Sequence, residues 1–325
     1  MLRYIARRLI WLVFVLVVIT AITYSIFFLL PGGGTDTIAQ RFAGRAPRPE
    51  LVQEVKIQMG LDKPIYIQFY TFTKNLFFGD QYGWPGFGKS FTLRLPMKPI
   101  LLERTLVTLQ LALGAAVMWL CIGIPIGVLS ALRPRSLFDR FAMIFALVGI
   151  SIPVFVLGAI GLYALVYKTH LLPGTGYYSI FEYGFQPWFS HFLLPWFVLS
   201  LLYAAFYARL SRANLLEVMG EDYMRTARSK GLTERRVIVH HGLRASMTPL
   251  VTVFGLDLAG LMAGAIITER IFNIPGIGDL AIKSIGSQDV YAILDVTLVA
   301  AFIITFANLV VDIVYAFLDP RVRYE

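Results

Sequence analysis

The sequence predicts an all-α, polytopic membrane protein with six transmembrane helices, and three observations carry that prediction. The chain of 325 residues is 57% hydrophobic and only 15% charged, where soluble domains run near ~45–50% apolar and ~25% charged. Six apolar runs are long enough to match the hydrocarbon layer, which takes about 18 or more such residues. The basic residues of the short loops fall on alternate sides from one run to the next. Lipid offers no partner for a free backbone N–H or C=O, so spans of this kind are helical.

In chain order the spans are expected at Leu9–Leu30, Leu106–Leu132, Phe141–Tyr167, Phe192–Leu210, Leu250–Ile267 and Leu294–Phe317. Residues 1–104 then hold the first span and a long outer segment. Residues 105–318 hold a five-span core with a loop at 211–249, and 319–325 form a tail. Arg3, Arg7 and Arg8 precede a first run too long for a signal-peptide core, so that run is read as a retained helix. Arg133, Arg135 and Arg140 lie in one short loop, eight basic residues from Arg209 to Arg244 in another, and Arg321 and Arg323 at the end. The opposite loops carry only Lys168, Arg270 and Lys283. The positive-inside rule therefore puts both termini in the cytoplasm. This placement accounts for the net charge of +9 without a nucleic-acid partner. Cys121, the one cysteine, sits in an apolar run and is expected to serve as a small buried residue.

The outer segment predicts a helix over Pro49–Met59 and a turn over Leu61–Pro64. A helix over Ile65–Phe78 follows, with an aromatic face suited to the membrane surface or a partner. Gly79–Pro99 reads as loop. Within it, Gly83–Ser90 matches the G-x-x-x-x-G-K-S phosphate-loop pattern, but no buried strand precedes it and no helix follows directly, so nucleotide binding is not expected there. Gly123, Pro125 and Gly127 interrupt the second span, and Gly149, Ser151 and Pro153 the third. Two readings stay open: ordinary membrane-helix composition, or kinks lining a path that opens and closes.

The loop between the fourth and fifth spans is punctuated. Glu221–Lys230 suits a helix with acids first and bases last, and Gly231 suits its left-handed cap. Thr233 suits an N-cap for a second short helix over Glu234–His241, and Pro249 the first turn of the fifth span. The narrow apolar strip Tyr223, Met224 and Ala227 fits a protein groove better than lipid, while a merely solvated basic loop is the plainer alternative.

The stretch Asp222 to Thr252 resembles the coupling (EAA) loop of ABC-importer permeases, in the form found in the dipeptide, oligopeptide and nickel branch. Thr226-Ala227, Gly231 and Pro249 fall on the best-marked positions. The chain departs from the pattern at Arg225-Thr226, where the motif has Glu-Ala, and at Thr248, where leucine is usual. Met1–Arg8, Leu61–Tyr70, Ile271–Gly278 and Asp319–Tyr324 also resemble the B-type permease of that branch, as does Gly79-Asp80 with the later Gly88-Lys89-Ser90. The resemblance implies a type I ABC importer permease fold and one half of a permease heterodimer. It also implies one or two cytoplasmic ATPases that bind ATP and Mg in place of this chain, and an outer solute-binding protein. Asp222, Tyr223, Arg225, Thr226, Ala227, Lys230, Gly231 and Leu232 would couple to the ATPase, and the chain itself would not be an enzyme. Dipeptides, longer peptides, nickel chelates and sugars all remain open as solutes.

Asp257 lies near the middle of the fifth span, where a charge costs at least ~3 kcal/mol and needs a cavity, a partner or a cation. It joins Ser151 and Pro153 as a pathway candidate, with an interface to the second permease as the alternative. Asp312 reads as structural. His240 and His241 are adjacent, so their rings diverge, and no metal site is expected. An ion-driven transporter or channel is the rival class; it predicts inverted repeats or several intramembrane charges, and the sequence displays no repeat.

Overall fold

The computed structural model describes residues 2–29, 39–40, 48–90 and 92–318. Among them every element is helical apart from two isolated antiparallel bridges, Asp80 with Gly83 and Lys89 with Pro96. Contacts divide the chain into two compact units, one formed from residues 1–106 and 276–309, the other from 107–275 and 310–325. Among the described residues five helices are long and apolar enough to cross a membrane, or six if one bent pair is counted as a single span. The expected tail at 319–325 lies outside the described residues.

The first unit contains α1 (Leu2–Leu29), α2 (Pro49–Met59), α3 (Ile65–Phe78), the start of α4 (Met97–Leu132), α12 (Ile277–Ser287) and most of α13 (Val290–Leu318). Pro49 opens α2 at a position where no intrahelical N–H is needed. On α1, Tyr24 stacks on Phe28 at 4.1 Å and meets Phe69 of α3 edge-on at 5.4 Å. Leu61, Leu294 and Leu298 complete this cluster. Gln68 ties it to the preceding turn, donating to the carbonyls of Leu61 (3.2 Å) and Lys63 (2.7 Å) and accepting from the Tyr24 hydroxyl (3.3 Å). The expected loop to Pro99 ends earlier, because α4 begins at Met97 and takes Pro99 into its first turn.

The second unit contains the rest of α4, α5 (Leu137–Ser151), α6 (Val154–Lys168), α7 (Ile180–Tyr183), α8 (Phe185–Gly220), α9 (Asp222–Ser229), α10 (Glu234–Met262) and α11 (Ile266–Ile271). Its core surrounds Trp119, which is fully buried and stacks on Tyr203 at 4.6 Å. Gly123 and Gly127 do not break α4. They let it approach α8: a Cβ on Gly123 would sit 2.7 Å from the Ala204 carbonyl oxygen. The helix also runs unbroken through Pro125.

Three span expectations need correction. The third span is not one helix, since α5 and α6 meet at a 99° bend where Ile152, preceding Pro153, is extended (φ −86°, ψ 124°). That is the conformation a following proline imposes. The fifth span stops at Met262 rather than Ile267, because Gly264 adopts φ +137° and a separate helix, α11, starts at Ile266. No gap separates the expected Glu234–His241 helix from that span. Nothing between them stops a helix, so α10 is continuous from Glu234, with a π-helical stretch at Val237–Leu243, and Pro249 lies well inside it.

Candidate functional site

α9 begins after Glu221 in extended geometry and ends where Gly231 takes φ +75°, the left-handed conformation expected of it. The N–H groups of Lys230 and Gly231 close the last turn on Thr226 O (3.0 Å) and Arg228 O (2.9 Å). The helix has two faces. Met224 (0% exposed) and Ala227 (7%) pack with Val237, Val218, Met219 and Leu232. Asp222, Tyr223, Arg225, Thr226, Lys230 and Gly231 are exposed. The apolar strip expected to enter a partner's groove is thus mostly covered by this chain: Met224 and Ala227 are inside, and Tyr223 alone of the three stays outside. Burial and the neighbouring Glu221 push the Tyr223 phenol above its ordinary range.

Across the turn, Thr233 has N-cap geometry but makes no side-chain cap bond. Glu234 instead accepts from Arg228, and this contact pushes the guanidinium further above its already high ordinary range. α9 rests on the π-helical part of α10, where a Cβ on Gly242 would lie 3.3 Å from Met224 Cε.

Further along α10, Asp257 is partly exposed and accepts from the Tyr207 hydroxyl at 2.9 Å. Tyr207 lies on α8, is fully buried, and has Trp119 at 6.1 Å. Asp257 is therefore anchored to its own chain through one carboxylate oxygen while part of the side chain remains accessible. Ser151 and Pro153 mark the α5–α6 bend, both exposed, with the Ser151 hydroxyl donating back to Leu147 O at 2.8 Å. α5, α6 and α10 all pack on α8, which joins the three pathway candidates through one helix.

Several buried acids escaped the sequence. Asp139, in the first turn of α5, accepts from Arg212 Nε (2.6 Å) and Nη2 (2.8 Å), from the Arg135 N–H (2.8 Å), and from the Ser130 hydroxyl. Glu269 is fully buried and accepts from Thr108 at 2.8 Å. Asp289 accepts from the Ser90 hydroxyl at 2.5 Å and the Thr92 N–H at 3.0 Å, so the last residue of the phosphate-loop look-alike is committed to a carboxylate. Asp295 is fully buried, and neither of its oxygens has a partner among the described residues. An acid three residues after a capping serine, as at Ser136 and Asp139, was the one usable signal. Among the described residues no group of three metal-ligating side chains comes together.

Known proteins resemble the chain along its whole length. The model of the family described as "Binding-protein-dependent transport system inner membrane component" matches residues 123–324, and the model of its N-terminal part matches residues 1–112. A probable peptide ABC transporter permease, y4tP, of Sinorhizobium fredii is 35% identical, covering 99% of each chain. The glutathione transport system permease GsiC of Escherichia coli K12 is 34% identical over 100% of both. Among solved structures, the MetNI methionine ABC transporter in an inward-facing conformation has a similar fold, with TM-score 0.55 at 17% identity over 69% of this chain and 98% of that one.

Proposed function

Since this chain belongs to the family of binding-protein-dependent transport system inner membrane components and is a multi-pass permease subunit of an ABC importer, we propose that it forms half of an uptake pathway for short peptides and receives the ATPase stroke through α9. The observation that carries the coupling role is the two-faced burial of α9. Its inner residues Met224 and Ala227 are fixed to the chain, while Asp222, Tyr223, Arg225, Thr226 and Lys230 are left for a partner. A helix seated in this way moves as a body with α10, on which Asp257 sits. Gly231 sets the turn, and Ala227 and Leu232 act as anchors from within.

The ATPases then bias a two-state membrane domain, and the ligand-dependent contact is made at α9. The bend at Pro153, the carboxylate of Asp257 and its Tyr207 partner are the groups assigned to the pathway. A homologous second permease, one or two ATPases holding ATP and Mg, and an extracytoplasmic solute-binding protein complete the assembly, with both termini of this chain cytoplasmic.

Peptide is the proposed solute because relatives matching over full length are named for peptide and glutathione transport. Uptake by membrane vesicles containing the complete transporter tests this directly. Labelled di- and tripeptides are expected to accumulate with ATP. Accumulation of a nickel chelate or a sugar without peptide uptake overturns the substrate assignment. Failure of a cysteine at Arg225 to cross-link to the ATPase overturns the coupling assignment.

A further inference from the structure

Three helices of the second unit bring one carboxylate and four aromatic rings together. Tyr207 on α8 donates to one oxygen of Asp257 on α10 at 2.9 Å. Tyr203 is one turn back on the same face of α8 and lies within the field of the same carboxylate. Phe254 precedes Asp257 by three residues and shares its face of α10. Trp119 of α4 joins the two sides, stacking on Tyr203 at 4.6 Å and meeting Phe254 edge-on at 6.0 Å. Tyr203, Phe254 and Asp257 are each partly exposed, whereas Trp119 and Tyr207 are fully buried. Next to the carboxylate the helix face is open: Gly260, three residues further on, is exposed, and a Cβ there would meet nothing within 4 Å.

The carboxylate is under-used. An ionised carboxyl group has about four acceptor sites, yet Asp257 accepts one hydrogen bond, and no lysine, arginine or histidine pairs with it among the described residues. To hold the Tyr207 hydroxyl alone, a neutral acceptor would serve without the cost of a charge in an apolar helix. The Tyr203 hydroxyl likewise has no partner among the described residues. A metal ion is a poor match, because hard cations take about six or more oxygen ligands and no group of three metal-ligating side chains comes together among the described residues. A primary ammonium fits. It carries three N–H donors on one charge, needs few oxygen acceptors, and is attracted to the face of an aromatic ring. We propose that Asp257 receives the free amino terminus of the carried peptide, its ammonium held by the unspent carboxylate oxygen and the Tyr203 hydroxyl beside the Phe254 ring. This rests on the assignment of Asp257 to a peptide pathway and adds to it which end of the solute the site reads.

Proteoliposomes holding the complete transporter and its binding protein test this with two labelled solutes: a tripeptide, and its desamino analogue with hydrogen in place of the ammonium. Asp257→Asn keeps an acceptor for Tyr207 and removes the charge. The ratio of tripeptide to analogue uptake is expected to be about tenfold or more lower in Asp257→Asn than in wild type, the loss of one charge-assisted hydrogen bond. Asp257→Glu is expected to restore much of it. The binding protein is the same in every arm, so its own preference cancels. An unchanged ratio in Asp257→Asn overturns the proposal, whether both rates fall together, as for a carboxylate that meets the second permease, or neither falls. Where wild type admits no analogue, tripeptides with a diazirine on the first or the third residue replace the ratio. Photolysis during uptake is expected to label α8 and α10 from the amino-terminal probe, and Asp257→Asn to lose that label; labelling that does not favour this probe, or that survives in the variant, overturns the proposal. Wild type that accumulates no peptide refutes the peptide reading and the proposal with it, whereas normal peptide uptake with an unchanged ratio refutes the proposal alone.

Discussion

Arg228 and Glu234 clasp the two sides of the Gly231 turn, with Nη2 3.0 Å from Oε1 and Nε 3.2 Å from Oε2. This paired contact bridges α9 and α10, and Gly231 supplies the left-handed backbone conformation of the turn between them.

Replacing Gly231 by valine forces a β-branched residue into left-handed backbone, at about 1–2 kcal/mol. ATP hydrolysis by the complete transporter is expected to persist while uptake falls several-fold. Arg228→Ala should give the same split more weakly, since the Arg228–Glu234 contact is exposed. Parallel assays of hydrolysis and uptake check both, and normal coupling in Gly231→Val would remove the role given to the turn.

Tyr207→Phe deletes the donor to Asp257 and should cost about 1–3 kcal/mol of stability, because it leaves a carboxylate short of a partner in an apolar setting. Asp257→Leu removes the charge altogether. Uptake is expected to drop sharply in Asp257→Leu, and by more than in Tyr207→Phe at a comparable loss of thermal stability, since Asp257→Leu strands the buried Tyr207 hydroxyl. Uptake at the wild-type rate there would show that the carboxylate serves the fold and not the pathway.

The Asp139–Arg212 pair joins α5 to α8, and Asp139 is only 6% exposed. Asp139→Leu strands Arg212 and should destabilise by about 3 kcal/mol, near the lower end for a broken buried pair because Arg212 is partly open to solvent. The double variant Asp139→Leu/Arg212→Met is expected to regain most of that loss. Melting of the purified complex in detergent distinguishes the two, and equal melting of single and double variants would show that the pair does not act as a unit.

Asp295 makes the opposite prediction. A fully buried carboxylate with neither oxygen paired among the described residues is a cost, so Asp295→Leu or Asp295→Asn should raise the melting temperature or leave it unchanged. A marked loss of stability would mean that a group bound at this position had been displaced.

The apolar runs were legible because span length and hydropathy are local properties. Gly231 and the helices over Pro49–Met59 and Ile65–Phe78 were legible for the same reason, each resting on neighbours in sequence. The prolines were not. Pro125, Pro195 and Pro249 lie inside unbroken helices, while Pro153 ends one, although the same steric rule acts on every preceding residue. Around Pro125, α4 packs closely on α8 at Gly123, and that contact joins residues some 80 positions apart, Gly123 with Ala204. The buried acids were hidden likewise, since Thr108 with Glu269 and Ser90 with Asp289 pair across 161 and 199 residues.

The continuity of α10 has a mechanical consequence. From the bearing at Gly242, where Met224 rests, to the carboxylate of Asp257 there are 15 residues of one helix, a rod of about 22 Å at ~1.5 Å per residue. Within it Pro249 lacks the N–H that would stiffen its turn. Under the coupling role proposed above, such a rod would carry a push on α9 toward Asp257 as displacement, and the turn at Pro249 is a place that can be stiffened by replacing one residue.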